Sequence, residues 1–405
     1  MKNKQTPTEV QIIAKIFDDV IDEYEENNKV IFANESERAK AHFGTVSRGV
    51  KHWAKSKRCM VPNCGNRSIA RSHTVPKGMS LAVLAENKHV LEPTFNQKTG
   101  IAGLEKIGLA NATTFPGFCA QHELLFEEFE NKKSIDTEAH VYLQTYRAAC
   151  RELFRSEFVT NQFDWLIAQY CKVRDEGILR IIRERAKQYG IEKVDSSSIN
   201  FEHDPLIDYA KPRRDSVRKH AAYLKNFLLP ALEKAVFQGD DSEIYVKATH
   251  IDQLIPVALA GAASFLVSNN GSEKDVTLLM NVVPAPRRTL IIFAGHRSEA
   301  QFVDAYENRW MQNALDMLSM VESWMINGTD QWCLQPSIWH KLTEERRLAL
   351  FDLLIGAKRN IGQECELSIF DDLRVHLIQL TEVANANNTS DDYAAFIAAQ
   401  RKKLA

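Results

Sequence analysis

The sequence predicts an α+β protein, predominantly helical, and three observations carry that reading. Apolar residues recur at helical spacing near the N-terminus and again from about 136 to 190. Three apolar runs of β-type composition fall between residues 255 and 294. Between the two helical stretches lies a loop-rich segment that holds three of the seven cysteines.

Taken in order, residues 8–27 place Val10, Ile13, Ile16, Phe17, Val20, Ile21 and Tyr24 on one side of a helix, opposite an acidic face. This predicts an amphipathic helix within an N-terminal segment 1–39. Residues 40–135 read as a small module, with loop-like stretches at 60–68 and 91–100. A helical region, 136–240, follows. Its first helix should stop at Gly190, and its polar, aperiodic stretch 191–215 reads as a linker or long loop before another helix over about 216–238. The remainder, 241–405, reads as an α+β domain. Strands are expected at Ile255–Val267, Thr277–Val283 and Thr289–Ala294, the last two close enough to pair antiparallel. Helices should then cover about 298–326, 337–358 and 366–384, with Gly328 near a stop and Pro336 near a start.

A chain of 405 residues exceeds what one core usually fills, so two or three domains are expected. The opening residues lack the apolar core of a signal peptide, and the longest nearly apolar run, Leu254–Val267, is too short to span a bilayer. These features imply a cytoplasmic protein, no membrane partner and reduced thiols, so paired cysteines are read as metal ligands before disulfides. The net charge of −2 hides an uneven distribution. From Arg38 to Ala85 there are ten Lys/Arg and no acid, so this window carries +10 and the rest of the chain −12.

Cys59 and Cys64 flank a Pro-Asn turn, across which two sulfurs can converge on one ion. Cys119 and His122 lie three apart, which on a first helical turn puts both on one side. Together they make a Cys₃His set, which favours tetrahedral Zn²⁺ in a structural role. Phe115, Phe118, Phe126 and Phe129 should form the small core beside it. Cys150 and Cys171, in apolar helical text, read as small buried hydrophobes. The chain has no Gly-x-x-x-x-Gly-Lys-Ser/Thr loop, Gly-x-Ser-x-Gly elbow or His-Glu-x-x-His pair.

Between the two ligand pairs runs Arg71-Ser-His73-Thr-Val-Pro-Lys77. The order of a Cys pair, Ser-His-x-x-Pro-Lys, an insert, and Phe-Cys-x-x-His opening a helix resembles the HNH endonucleases over about residues 55–130. The longer pattern Phe-x-Gly-Phe-Cys-x-x-His-Glu is also similar to bacterial proteins of no assigned activity. The HNH resemblance implies a zinc-bound ββα, treble-clef-like module. By the same resemblance, His73 is the general base, an imidazole being suited to that work near neutral pH. Arg71 and Lys77 contact the scissile phosphate. Glu123 stands where the family usually has a metal-binding histidine and would hold a catalytic Mg²⁺ or Mn²⁺; its other reading is that it favours the helix N-terminus. Two departures count against activity. Ser72 replaces the acid that often precedes the first histidine, and the family's middle Asn has only Asn111, or Thr114, as counterpart.

The basic window overlaps this module, so DNA is the expected macromolecular partner, met by Arg48, Lys51, Lys55, Lys57, Arg58 and Arg67. His52 and Trp53 are either base-stacking or packed. Two functions remain open: a metal-dependent HNH-like endonuclease, by analogy of architecture one used in bacterial anti-phage defence, and a catalytically inactive zinc-stabilised adaptor that binds DNA or protein. The C-terminal domain would supply contacts to a partner protein or a second copy.

Overall fold

The structure, a computed structural model, describes residues 8–38, 48, 49, 51–53, 55–96, 101–194, 204–269, 272–356 and 360–404. It is mixed α+β and predominantly helical. In chain order the main elements are α1 (Glu9–Glu26), β1 (Ser72–His73), β2 (His89–Asn96), β3 (Ile101–Gly108), β4 (Thr114–Phe115), α2 (Ala120–Glu123), α3 (Glu127–Lys132) and α4 (Glu138–Lys187). They continue with α5 (Pro205–Tyr223), α6 (Leu229–Gln238), β5 (Ile244–Ile251), β6 (Val257–Asn269), β7 (Ser272–Ala285) and β8 (Arg288–His296). The chain then runs through α7 (Ala300–Trp310), α8 (Ala314–Ser323), β9 (Trp332–Leu334), α9 (Pro336–Lys341), α10 (Glu344–Gly356), α11 (Asp371–Ala384) and α12 (Asp391–Lys402). Among the described residues no helix is long and apolar enough to cross a membrane.

Packing divides the chain into two units, Met1–Trp53 with Ser156–Lys219, and Ala54–Arg155 with His220–Ala405. The larger unit joins residues 54–155 to the C-terminal part of the chain, and β2 pairs there with β9. Residues 138–155 of α4 belong to the larger unit and the rest of that helix to the smaller.

In the smaller unit, α1 starts at a capping box in which Thr8 and Gln11 satisfy each other's backbone. It buries Ile16, Val20 and Tyr24 against Ile178 and Ile182 of α4, whereas Val10 of the expected apolar side is exposed. Asp204 takes hydrogen bonds from the Tyr24 hydroxyl at 3.0 Å and from Arg174 at 2.8 Å. Its other oxygen caps α5 through the N–H groups of Leu206 and Ile207. The linker expected at 191–215 is therefore corrected: residues 205–215 are helical, and 195–203 lie outside the described residues. The helix is rich in charge and holds Pro212, so its apolar period is weak, and a tertiary cap starts it.

The larger unit is built on a seven-stranded antiparallel sheet in the order β3-β2-β9-β6-β7-β8-β5. Along β8 every residue from Thr289 to Gly295 is buried, as expected of a strand covered on both faces. One face carries Leu278, Met280 and Phe293 into a core with Trp310, Trp324 and Phe370 of the C-terminal helices. On the other side, Asn281 of β7 accepts a hydrogen bond from Gln144 of α4 at 3.1 Å. The three expected strands are β6, β7 and β8, with the last two in a tight hairpin. The helix expected over 298–326 is two helices, broken where Asn313 caps α8. The loop expected at 91–100 is corrected: its first six residues lie in β2. Pro93 is tolerated there because β9 pairs with β2 only at Leu91, so the missing N–H is not needed.

Gly177 of α4 faces the backbone of Ile31, and a Cβ there would lie 2.5 Å from its carbonyl oxygen. Gly177→Ala should therefore destabilise the protein by about 2–4 kcal/mol, even though alanine favours the helix by about 1 kcal/mol. Chemical denaturation checks this, and a stabilised Gly177→Ala chain would show that helix propensity outweighs the clash.

Candidate metal centre and the polar cluster beside it

The first ligand pair is held by a hairpin. The Ser68 N–H donates to the Lys57 carbonyl at 2.8 Å and the Cys59 N–H to the Asn66 carbonyl at 2.9 Å, with Arg58 and Arg67 opposite each other. The chain reverses through Asn63, whose positive φ of 59° suits asparagine. The Cys64 N–H then closes onto the Val61 carbonyl at 3.2 Å. The second pair opens α2: Cys119 sits at its N-cap, and the His122 N–H returns to the Cys119 carbonyl at 3.0 Å. Two backbone bonds, Met60 to Gly117 and Ile69 to Phe118, hold the hairpin against this segment. Gly117 is required here, since a Cβ would lie 2.4 Å from the Phe115 ring.

These bonds bring the four ligand atoms within 4.8 Å of one another. The His122 Nδ1 is 3.4 Å from the Cys59 sulfur and 3.5 Å from the Cys119 sulfur, and the Cys64 and Cys119 sulfurs are 4.0 Å apart. This Cys₃His cluster can hold a metal ion, as the spacing of the residues implied. Burial pushes the Cys59 thiol up to about 11. Burial acts upward on Cys119 too, but the His122 N–H, the two neighbouring thiols and Asn66 hold it below the ordinary thiol value. Ion binding must therefore expel protons from the set.

The expected aromatic core is present. Phe115, Phe118, Phe126 and Phe129 are all at most 1% exposed and lie in edge or tilted contact, with Phe118 and Phe126 centroids 5.0 Å apart. Cys150 is buried and Cys171 half-buried. Against Phe126 lies Arg147 of α4, 1% exposed, its guanidinium 4.3 Å from the ring centroid. It donates to Glu130 at 2.6 Å and to Glu123 at 3.0 Å. Nothing in the sequence marks Arg147, which reads as one more arginine on a charged helix.

His73 lies on β1, paired with Thr114 of β4. Its Nδ1 is 2.9 Å from the Ala112 carbonyl, and a carbonyl only accepts, so the ring carries its proton on Nδ1. Nε2 then holds the lone pair and has no hydrogen-bond partner among the described residues. Burial pushes His73 down to about 4; the charges of Arg147 and Lys77 act in the same direction, against the Ala112 carbonyl and Glu130. Ser72 is buried and accepts from the Phe118 N–H at 3.1 Å. Glu123 is bound to Arg147 through Oε1, while its buried Oε2 has no hydrogen-bond partner among the described residues. Burial raises the Glu123 carboxyl above its ordinary value, against Arg147 and the nearby Ser72. Lys77 is half-buried, and Arg71 and Asn111 are exposed. Thr114 Oγ1 is occupied by the Asn111 carbonyl at 2.8 Å.

The predicted nucleic-acid residues fall into two groups. Lys55, Arg58 and Arg67 are exposed on the hairpin with half-buried Lys57, whose pKa is lowered by burial and by the neighbouring Lys55 charge. None of these four makes an ion pair among the described residues. Arg48 and Lys51 belong to the smaller unit, where Arg48 stacks over Trp165 at 4.6 Å. His52 and Trp53 pack on Phe158, at 5.7 and 5.1 Å between centroids, which is the packed alternative rather than base stacking. Lys40 of the basic window lies outside the described residues.

Two outcomes follow from this geometry. Cys119→Ala should abolish ion binding and lower the thermal midpoint, read by metal content per chain and by calorimetry; a variant that keeps a full complement of ion would remove Cys119 from the set. His73 should titrate near 4 rather than near 6.5. The unfolded chain takes up that proton first, so its stabilising effect is complete above about 6.5 and is lost as pH falls toward about 4. Histidine NMR and denaturation from pH 7 to 4, beside His73→Gln, check both parts. No family model, no curated protein and no solved structure matches the chain, so the centre stands on its own chemistry.

Proposed function

We propose that Cys59, Cys64, Cys119 and His122 hold a structural Zn²⁺, and that the module they staple is an HNH-like endonuclease acting on DNA with His73 as its general base. For zinc, bonds of about 2.3 Å to sulfur and about 2.0 Å to nitrogen give tetrahedral edges of about 3.8 and about 3.5 Å. The separations of 4.0, 3.4 and 3.5 Å lie near those edges. The β1–β4 pair followed by α2 gives the ββα order that the family resemblance implies.

The observation that carries the catalytic reading is His73: a neutral ring with Nδ1–H fixed by the Ala112 carbonyl and a bare Nε2. In the reaction Nε2 takes a proton from water as the water oxygen bonds to phosphorus. The bond from phosphorus to the leaving oxygen breaks, and that oxygen is protonated by solvent. Lys77 and Arg71 offset the charge that grows on the phosphate. A Mg²⁺ or Mn²⁺ would add Lewis-acid stabilisation, and Glu123 Oε2, a carboxyl oxygen without a hydrogen-bond partner among the described residues, could ligate it. Lys55, Lys57, Arg58 and Arg67 track the DNA backbone.

One observation favours the second reading, a non-cutting zinc-stabilised adaptor: Arg147 already occupies one oxygen of Glu123. Supercoiled plasmid with Mg²⁺ or Mn²⁺ separates the two. Cleavage is expected, with His73→Ala slower by about 10²–10⁴-fold. Cleavage that survives His73→Ala removes the base; DNA binding without cleavage under either ion establishes the adaptor. Arg58→Ala with Arg67→Ala should make the salt dependence of DNA binding shallower, the slope falling by about 0.9 for each phosphate that the variant leaves without a cation.

A further inference from the structure

The peptide that fixes His73 is itself held in an unfavourable conformation. Thr113 has φ of 55°, in the left-handed region, where a β-branched residue costs about 1–3 kcal/mol and persists only when its surroundings over-determine it. Four hydrogen bonds do so. The Thr113 carbonyl accepts from Thr74 N–H and from Thr74 Oγ1, each at 3.0 Å, and Thr113 Oγ1 accepts from Val75 N–H at 3.4 Å. The fourth bond runs to another part of the fold: Thr113 N–H donates to Glu92 Oε1 at 2.6 Å.

In a trans peptide the N–H and the preceding C=O point in opposite directions. The Thr113 N–H and the Ala112 carbonyl belong to the same peptide unit, so Glu92 pulls on one side of a plane whose other side faces His73 Nδ1 at 2.9 Å. A carboxyl oxygen bonded to the N–H also polarises the amide and makes its carbonyl a stronger acceptor, although burial raises the Glu92 carboxyl above its ordinary value against the Cys333 thiol, the Thr113 N–H and Arg151. Glu92 is fixed in turn by the sheet. It stands on β2, and the same Oε1 accepts from the fully buried Cys333 thiol of β9 at 3.0 Å.

We propose that Glu92 is a positioning residue for His73: through the Ala112–Thr113 peptide it locks the ring with its proton on Nδ1 and its lone pair on Nε2. This deepens the reading of His73 as general base and rests on it. Glu92 touches neither substrate nor reacting atoms. It acts as a carboxyl acceptor one peptide removed from the imidazole, and it makes the seven-stranded sheet part of what sets the base.

The tautomer is measurable without DNA. In the full, metal-loaded chain with ¹⁵N-labelled histidine, and with His73→Gln to assign the signal, His73 should show a protonated Nδ1 and a bare Nε2. Glu92→Ala should give mixed tautomers, and Glu92→Gln, a neutral acceptor of the same reach, an intermediate ratio, each with unchanged metal per chain. An unchanged ratio in whichever of the two variants retains its metal overturns the proposal. With plasmid, Glu92→Gln should lower kcat by about 10–100-fold at unchanged KM. If the wild-type chain does not cleave, the endonuclease reading fails and the tautomer ratio alone decides the role of Glu92.

Discussion

Four ligand atoms within 4.8 Å of one another require two distant parts of the chain to close on one point. The two halves of the cluster are separated by 55 residues from Cys64 to Cys119. The strands between them that face this cluster, β1 and β4, are only two residues each, far short of a self-stable ladder. Closing such a loop costs several kcal/mol of chain entropy, and a thiol-rich ion site supplies on the order of 10 kcal/mol against it. In the proposed reading, one ion would tie together the hairpin, the Cys119 turn, the aromatic core and the β1–β4 register. His73 inherits its position from that register.

A second constraint acts through the helices that follow the ligands. Arg147 is almost fully buried, and its two carboxylate partners come from α2 and α3. Leaving a buried charge without any partner costs about 3–5 kcal/mol, and the two carboxylates together spare Arg147 that cost. Arg147 therefore ties α4 to the helices that follow the metal ligands, and its charge helps to keep His73 neutral. The same guanidinium that favours a free base also competes for Glu123. Both readings of the module thus meet at one residue, and the balance between them is a balance of two interactions of Arg147.

The parts legible in the sequence are those whose physical cause is local. Helices α1 and α4 announce themselves by a 3.6-residue apolar period, and β6 to β8 by apolar runs broken at a Pro-rich turn. The Cys₃His set is legible because ligand spacing is a property of a turn and of a helix start. What escaped depends on partners far along the chain. Strand β2 looks like a loop because Pro93 and its polar neighbours weaken the pattern, and only pairing with β3 makes it a strand. Helix α5 begins where Asp204 finds Tyr24 and Arg174. Arg147, Thr113 and Glu92 carry no local signal: their roles follow from burial, from a left-handed backbone and from a bond to a sheet.

The charge distribution takes on a structural meaning in the same way. Some arginines elsewhere are neutralised in place, as where Arg214 and Arg218 share Asp164, or Arg151 and Arg155 share Asp330. On the hairpin the opposite holds. Arg58 and Arg67 stand directly opposite each other, a destabilising juxtaposition of like charge. Lys55 adds its charge beside Lys57, and no described acid pairs with any of the four. A fold that keeps unpaired cations together accepts a repulsion that a neighbouring acid would remove. An anionic polymer along the hairpin would relieve that repulsion, which is the physical support for the proposed contact with a phosphate backbone.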